Sequence, residues 1–186
     1  MSDAGVFWHD PVGSLHVAYT DDEEKVLQEL AQLFGNERNC RFVPPQEVEK
    51  YSTAVLMEGC KGALYSPDEL IVDPREAIAA LPEFLEQNHG VQFHWGKCVT
   101  YIADQTVYVG NEEEMDCDVV FICSGADFET LYPEVFQQLP LTKCKLQMMR
   151  TFPQPGGHRI GPALCGGLSL IHYKSFLEAP SLQALR

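Results

Sequence analysis

The chain has 186 residues, of which 45% are hydrophobic, a proportion ordinary for a globular protein and enough for one domain or a domain and part of another. With 27 acidic against 13 basic residues its formal net charge is -14, a surface that repels phosphate backbones and argues against nucleic-acid binding. No stretch approaches the roughly 20 apolar residues a membrane helix needs, and no basic segment followed by an apolar run opens the chain, so a soluble, cytoplasmic protein without membrane contact is expected.

In chain order, residues 13–19 (GSLHVAY) read as a strand, with Leu15, Val17 and Tyr19 alternating against Ser14, His16 and Ala18. Thr20 then stands three residues before Glu23, the spacing of a capping box, and opens a helix bearing Val26, Leu27, Leu30, Leu33 and Phe34 on one face. Gly35-Asn36 is expected to end it. Cys40 to Val43 reads as a short strand, Pro44 to Val48 as a turn into a short helix, and Gly62 to Tyr65 as extended. Asp73, Pro74 and Glu76 mark a second helix start as cap, first helical residue and box partner. Ala77, Ile78, Leu81, Phe84 and Leu85 would face a core, and Pro82 should kink or break the helix before Asn88-His89-Gly90 ends it.

A strand-rich block follows: Val91 to Trp95, Cys98 to Ala103, Thr106 to Val109 and Cys117 to Cys123, with Asp104-Gln105 as a tight hairpin turn. Glu112-Glu113-Glu114 reads as a solvated turn. Residues 118–123 (DVVFIC) are nearly continuous in apolar side chains, the mark of a strand covered on both faces, and lead into Ser124-Gly125-Ala126 and a short helix over Phe128 to Leu131. Leu141 to Phe152 is expected as a long strand, Pro153 to Gly157 as a loop, Gly161 to Gly167 as a glycine-rich run and Leu168 to Tyr173 as extended. Lys174 to Arg186 reads as amphipathic.

The succession Asp73-Pro74, Gly90-Val91, Cys98-Val99 and Ser124-Gly125-Ala126 resembles the middle of FAD-dependent oxidoreductases of the D-amino-acid oxidase and glycine oxidase type. The resemblance runs from about Gly13 to Tyr173, and SPDELIVDPREA, VVFICSGAD and GPALCGGLSLIHYKSF look like a branch associated with phosphonate breakdown. It implies a mixed α/β (α+β) fold, a largely antiparallel sheet with packed helices. Residues 1–72 and 141–186 would form a substrate-domain-like region, and residues 73–140 the remnant of an FAD-binding domain. In intact relatives it implies FAD, a small amine substrate, and hydride transfer from the amine's α-carbon to the flavin, giving an imine.

The cofactor-binding positions so implied are Val99, through its backbone, and Ser124, Gly125 and Ala126, where a glycine lets backbone approach a cofactor. Each also reads as an ordinary strand or turn residue. Arg150 suits an anionic substrate or a surface cation, and His172-Tyr173 a cavity lining or a packed aromatic pair. The six histidines lack ligand spacing, so no metal is expected, and seven cysteines without CxxC spacing fit a reducing compartment.

One departure from the family weighs heavily. The GxGxxG loop between strand and helix, which grips the pyrophosphate, is missing; Gly156-Gly157 and Gly166-Gly167 have the wrong spacing. The chain thus reads as a fragment that binds no FAD alone and is not catalytic alone. The alternatives are one subunit of a split flavoenzyme, completed by another chain, or a cofactor-free ligand-binding or interaction module. An incomplete sheet would favour a homodimer or a complementing chain.

Overall fold

In the computed structural model, which describes residues 5–111, 113–167, 171 and 173–184, two compact units emerge: residues 1–89 with 154–186, and residues 90–153. Helices combine with antiparallel and mixed sheets, the mixed α/β class expected.

The first unit is built on strand β2 (Ser14–Ala18). It pairs antiparallel with β4 (Gly62–Ser66) and parallel with β9 (Ala163–Cys165), while β3 (Arg41–Val43) lies outside β4. Its alternation does not divide dry from wet. Leu15 and Val17 pack with Val43, Val48 and Ala63, and Ala18 packs on the opposite face with Val26, Leu27 and Leu30 of helix α1 (Asp21–Arg38). A central strand with both faces covered buries even Ser14, whereas Tyr19 lies beyond the strand and is exposed. Strand β9 was not legible as such, because its pairing partner stands about 150 residues earlier in the chain.

The Thr20 capping box is complete. Glu23 N–H donates to Thr20 Oγ1 at 3.2 Å, and Thr20 N–H donates back to Glu23 Oε2 at 3.0 Å. Helix α1 passes through Gly35, where a helix interior tolerates glycine at about 1 kcal/mol, and ends at Asn39 in the left-handed conformation. The short helix α2 (Pro45–Val48) follows β3 as expected. Strands β1 (His9–Asp10) and β5 (Ile71–Val72) pair separately and lead to α3 (Pro74–His89).

At the start of α3, Asp73 Oδ1 accepts Arg75 N–H at 3.0 Å, but the Glu76 carboxylate accepts Trp8 N–H instead of closing a reciprocal box. Pro82 lacks one helical N–H yet does not interrupt the helix. The apolar face expected to meet a core does so only at Ala77; Ile78 is 69% exposed. Towards the C-terminus a 3-10 turn at Lys174–Glu178 and helix α5 (Pro180–Ala184) close over α1, burying Ala179 and Leu182.

The second unit is a meander of β6 (Val99–Ala103), β7 (Thr106–Val109) and β8 (Glu113–Asp116). Asp104 and Gln105 both take positive φ, 47° and 67°, the type I′ geometry whose twist matches a two-residue hairpin. Five expectations fail here. Glu113 and Glu114 belong to the edge strand β8 rather than to a turn, because the turn at Gly110 sets Glu113 opposite Val109; Glu112 is outside the described residues. Residues 117–123 are not a strand: no described strand pairs with them, and Val119 and Phe121 are 67% and 86% exposed. Residues 91–95 and 141–152 likewise do not form strands among the described residues. Apolar content sets a strand's burial, but pairing needs a neighbour. The helix sought over Phe128 to Leu131 is not formed: Asp127 Oδ1 accepts Glu129 and Thr130 N–H in a turn, and helix α4 follows at Pro133–Phe136. Leu168 to Leu170 and His172 of the expected extended stretch lie outside the described residues.

Candidate functional site

The expected cofactor-binding residues gather in the second unit. The β6–β7 hairpin presents Val99, Ile102 and Val107 to residues 120–124, and a groove of about 330 Å³ opens between them. Its walls are mainly apolar; its size is at the low end of the roughly 300–1,000 Å³ typical of small-ligand sites. Val99 lines it beside a bulge between Val99 and Tyr101, where Thr100 Oγ1 donates to Gly110 O at 3.0 Å. Such a bulge interrupts the ladder and leaves backbone groups there to be claimed otherwise.

Ser124 lines the groove's far side, and its turn is closed by Asp127 N–H donating to Ser124 O at 3.1 Å. Gly125 follows at φ 62°. A Cβ on Gly125 would meet nothing within 4 Å, so glycine serves the left-handed backbone there and not close packing among the described residues. Ala126 continues the same turn and does not line the groove.

Two charged residues that the sequence did not single out stand at the groove. Lys97 is ion-paired with Glu113, and its ammonium holds the Glu113 carboxyl below the usual carboxylate range. Asp127 is likewise held low, first by the hydrogen bond from the Thr130 side chain and then by the N–H groups of Glu129 and Thr130. Lys97 precedes β6 while Glu113 lies on β8, beyond β7, so no sequence spacing flags the pair.

The expected substrate residues are not assembled here. Arg150 is exposed in a stretch without regular structure and does not line the groove. Tyr173 belongs to the first unit, 63% exposed, with its ring edge-on to Phe176 at 6.2 Å. His172 is outside the described residues. Among the described residues no cluster of three or more His, Cys, Asp or Glu is placed to hold a metal, and no helix is long and apolar enough to cross a membrane.

FAD has two binding requirements that separate on this structure. A groove with apolar walls and a few polar groups fits a flat ring such as adenine. The pyrophosphate needs unneutralised helix N-terminal N–H groups. Here α1 opens with Asp21, Asp22, Glu23 and Glu24, and α3 opens on Asp73 and Glu76. Carboxylates at these ends already occupy or repel what a phosphate would use. A mainly apolar groove would suit the cofactor's ring, whereas the acidic starts of α1 and α3 do not suit its phosphates, and no chemical step is derived through it.

The family model for FAD dependent oxidoreductases matches residues 2–173, which takes in the whole groove. A comparison with curated proteins gives no match. The match over nearly the full chain places this protein in the family of FAD dependent oxidoreductases.

Proposed function

We propose that the chain is a scaffold of the amine and amino-acid oxidoreductase type that does not hold FAD, and does not oxidise an amine, by itself. The observation that carries this reading is the acidic start of both long helices, which leaves neither helix end suited to a phosphate. The wording SPDELIVDPREA and VVFICSGAD supports the phosphonate-associated branch with a small amine as substrate. Val99, Ser124, Gly125 and Ala126 would meet the ring end of the cofactor, and a second chain would supply the pyrophosphate site. Exposed Val119, Phe121 and Ile122 beside the groove support such a complementing chain or a homodimer. The alternative, a ligand-binding module that needs no flavin, is favoured by a separate cavity in the first unit.

Titration of the purified chain with FAD, by calorimetry and by visible absorbance after dialysis, tests the reading. Binding weaker than about 1 mM and colourless protein are expected. Yellow flavin retained with micromolar affinity would overturn it and call for an amine-oxidation assay.

A further inference from the structure

The second unit ends its sheet on an open, acidic edge. Strand β8 pairs with β7 on one side, and no described strand pairs with its other side. Its register sorts the side chains into two sets. Glu113 and Met115 stand opposite Val109 and Val107 and are half-buried, whereas Glu114 and Asp116 stand opposite Tyr108 and Thr106 and are exposed. Asp116 accepts the Thr106 hydroxyl at 2.9 Å, and Glu114 takes part in no ion pair among the described residues. An unpaired edge is a template for another strand, and carboxylates on it turn away strands of like charge. In a chain of net charge -14 such an edge selects strongly among the chain's own segments. The other open edges, β3, β6 and β9, read RFV, VTYIA and ALC and carry no carboxylate.

An exposed segment of the same unit has the opposite charge. Residues 141–152 carry Lys143, Lys145 and Arg150 and no carboxylate, and they form no strand in the structure. Leu146, Met148 and Met149 are exposed there. Lys143 lies over the Phe128 ring at 5.2 Å, while Lys145 takes part in no ion pair among the described residues. Side chains alternate along a strand, so in extended form Lys143 and Lys145 would share one face and Cys144 and Leu146 the other. Glu114 and Asp116 have the same two-residue spacing as the lysines.

We propose that residues 143–146 of one copy of this chain add as an antiparallel strand to the open edge of β8 in a second copy, reciprocally, to give a two-fold dimer. Antiparallel pairing continues the sense of the β6–β7–β8 sheet and sets Lys145 opposite Glu114 and Lys143 opposite Asp116. Cys144 and Leu146 then extend the half-buried side that holds Met115. Each copy carries both the donor strand and the acceptor edge, so the assembly closes at two. The backbone hydrogen bonds of the added strand supply affinity, and the charge pairs fix its register. The inference rests on the reading above only in taking the partner to be a second copy. It needs no flavin, so the FAD titration and the test below can fail separately.

Sedimentation of the whole chain should show a monomer–dimer equilibrium with half-association below about 1 mM. Hydrogen exchange at β8 and at residues 143–146 should slow as the concentration rises. Glu114→Lys and Lys145→Glu, both at exposed positions, should each weaken the dimer about tenfold, because each reversal acts twice in a reciprocal dimer. A mixture of the two variants should associate as tightly as the parent, since the reversed residues then face each other at one contact and the other contact is unaltered. A chain that stays monomeric at about 1 mM overturns the proposal. So does a dimer that both variants leave unchanged, or a mixture no tighter than either variant alone. Should a variant unfold, the parent's exchange decides: a dimer that protects residues 117–123 and not β8 overturns the proposal as well.

Discussion

Leu27 is fully buried between the sheet and the C-terminal cap, in contact with the cluster that includes Ala18, Leu30, Leu64 and Leu182. Truncation there removes transfer free energy and leaves a void that neighbours on four elements cannot jointly close. Leu27→Ala is expected to cost about 2–5 kcal/mol in urea unfolding, whereas Leu33→Ala, on the exposed side of the same helix, should change little. A single residue also ties the chain's two ends together. Glu29 accepts both the side-chain hydroxyl and the N–H of Ser181, and the hydroxyl's hydrogen bond, followed by the N–H, holds its carboxyl below the usual range. A folded-state pKa below the unfolded one gives stability that is present above the unfolded value and lost as pH falls through the folded one. Glu29→Gln should therefore melt earlier than the parent at neutral pH, and the gap should close as the pH drops below the carboxylate range. A gap that stays constant down to acid pH would mean that the ionised carboxylate contributes nothing.

At the scale of elements, the parts legible in the sequence are those whose causes are local. The Thr20 box, the short helix after Pro44 and the Asp104-Gln105 hairpin need only neighbours within a few residues. Thr20→Ala removes the oxygen that accepts Glu23 N–H, and is expected to cost about 1 kcal/mol, roughly 2–4 °C in thermal midpoint. Scanning calorimetry reads this directly, and an unchanged midpoint would show that packing of Val26 and Leu30 alone fixes the helix start. The illegible parts depend on distant partners. Residues 117–123 have the composition of a covered strand without a strand beside them, and β9 is a strand only because β2 offers it an edge. Of the candidate site, Val99 and Ser124 do line one groove, while Arg150 is not part of it. The first unit's cavity at His16 escaped notice because its residues come from four separate stretches of the chain, and histidine spacing carries no trace of that convergence.

For the molecule as a whole, burial is divided unevenly between the two units. Nearly all buried apolar side chains belong to the first, and Val109 is the one such residue among those described in the second. The second unit instead exposes Val119, Phe121, Met148 and Met149, against a net charge of -14 that disfavours casual association. Stability follows buried area, so the units should open separately. Hydrogen exchange of the isolated chain is expected to protect the amides of β2 and β4 far longer than those of β6, β7 and β8. Residues 117–123, with no ladder partner, should exchange fastest among the apolar segments. The same measurement bears on the proposed complementing chain. A complementing chain that pairs with residues 117–123 would slow their exchange while leaving β2 and β4 as they were. Protection of 117–123 that rises with the concentration of this chain alone would show instead that a second copy covers them. Protection already equal to that of β2 in dilute solution would contradict the exposed, unpaired segment described above.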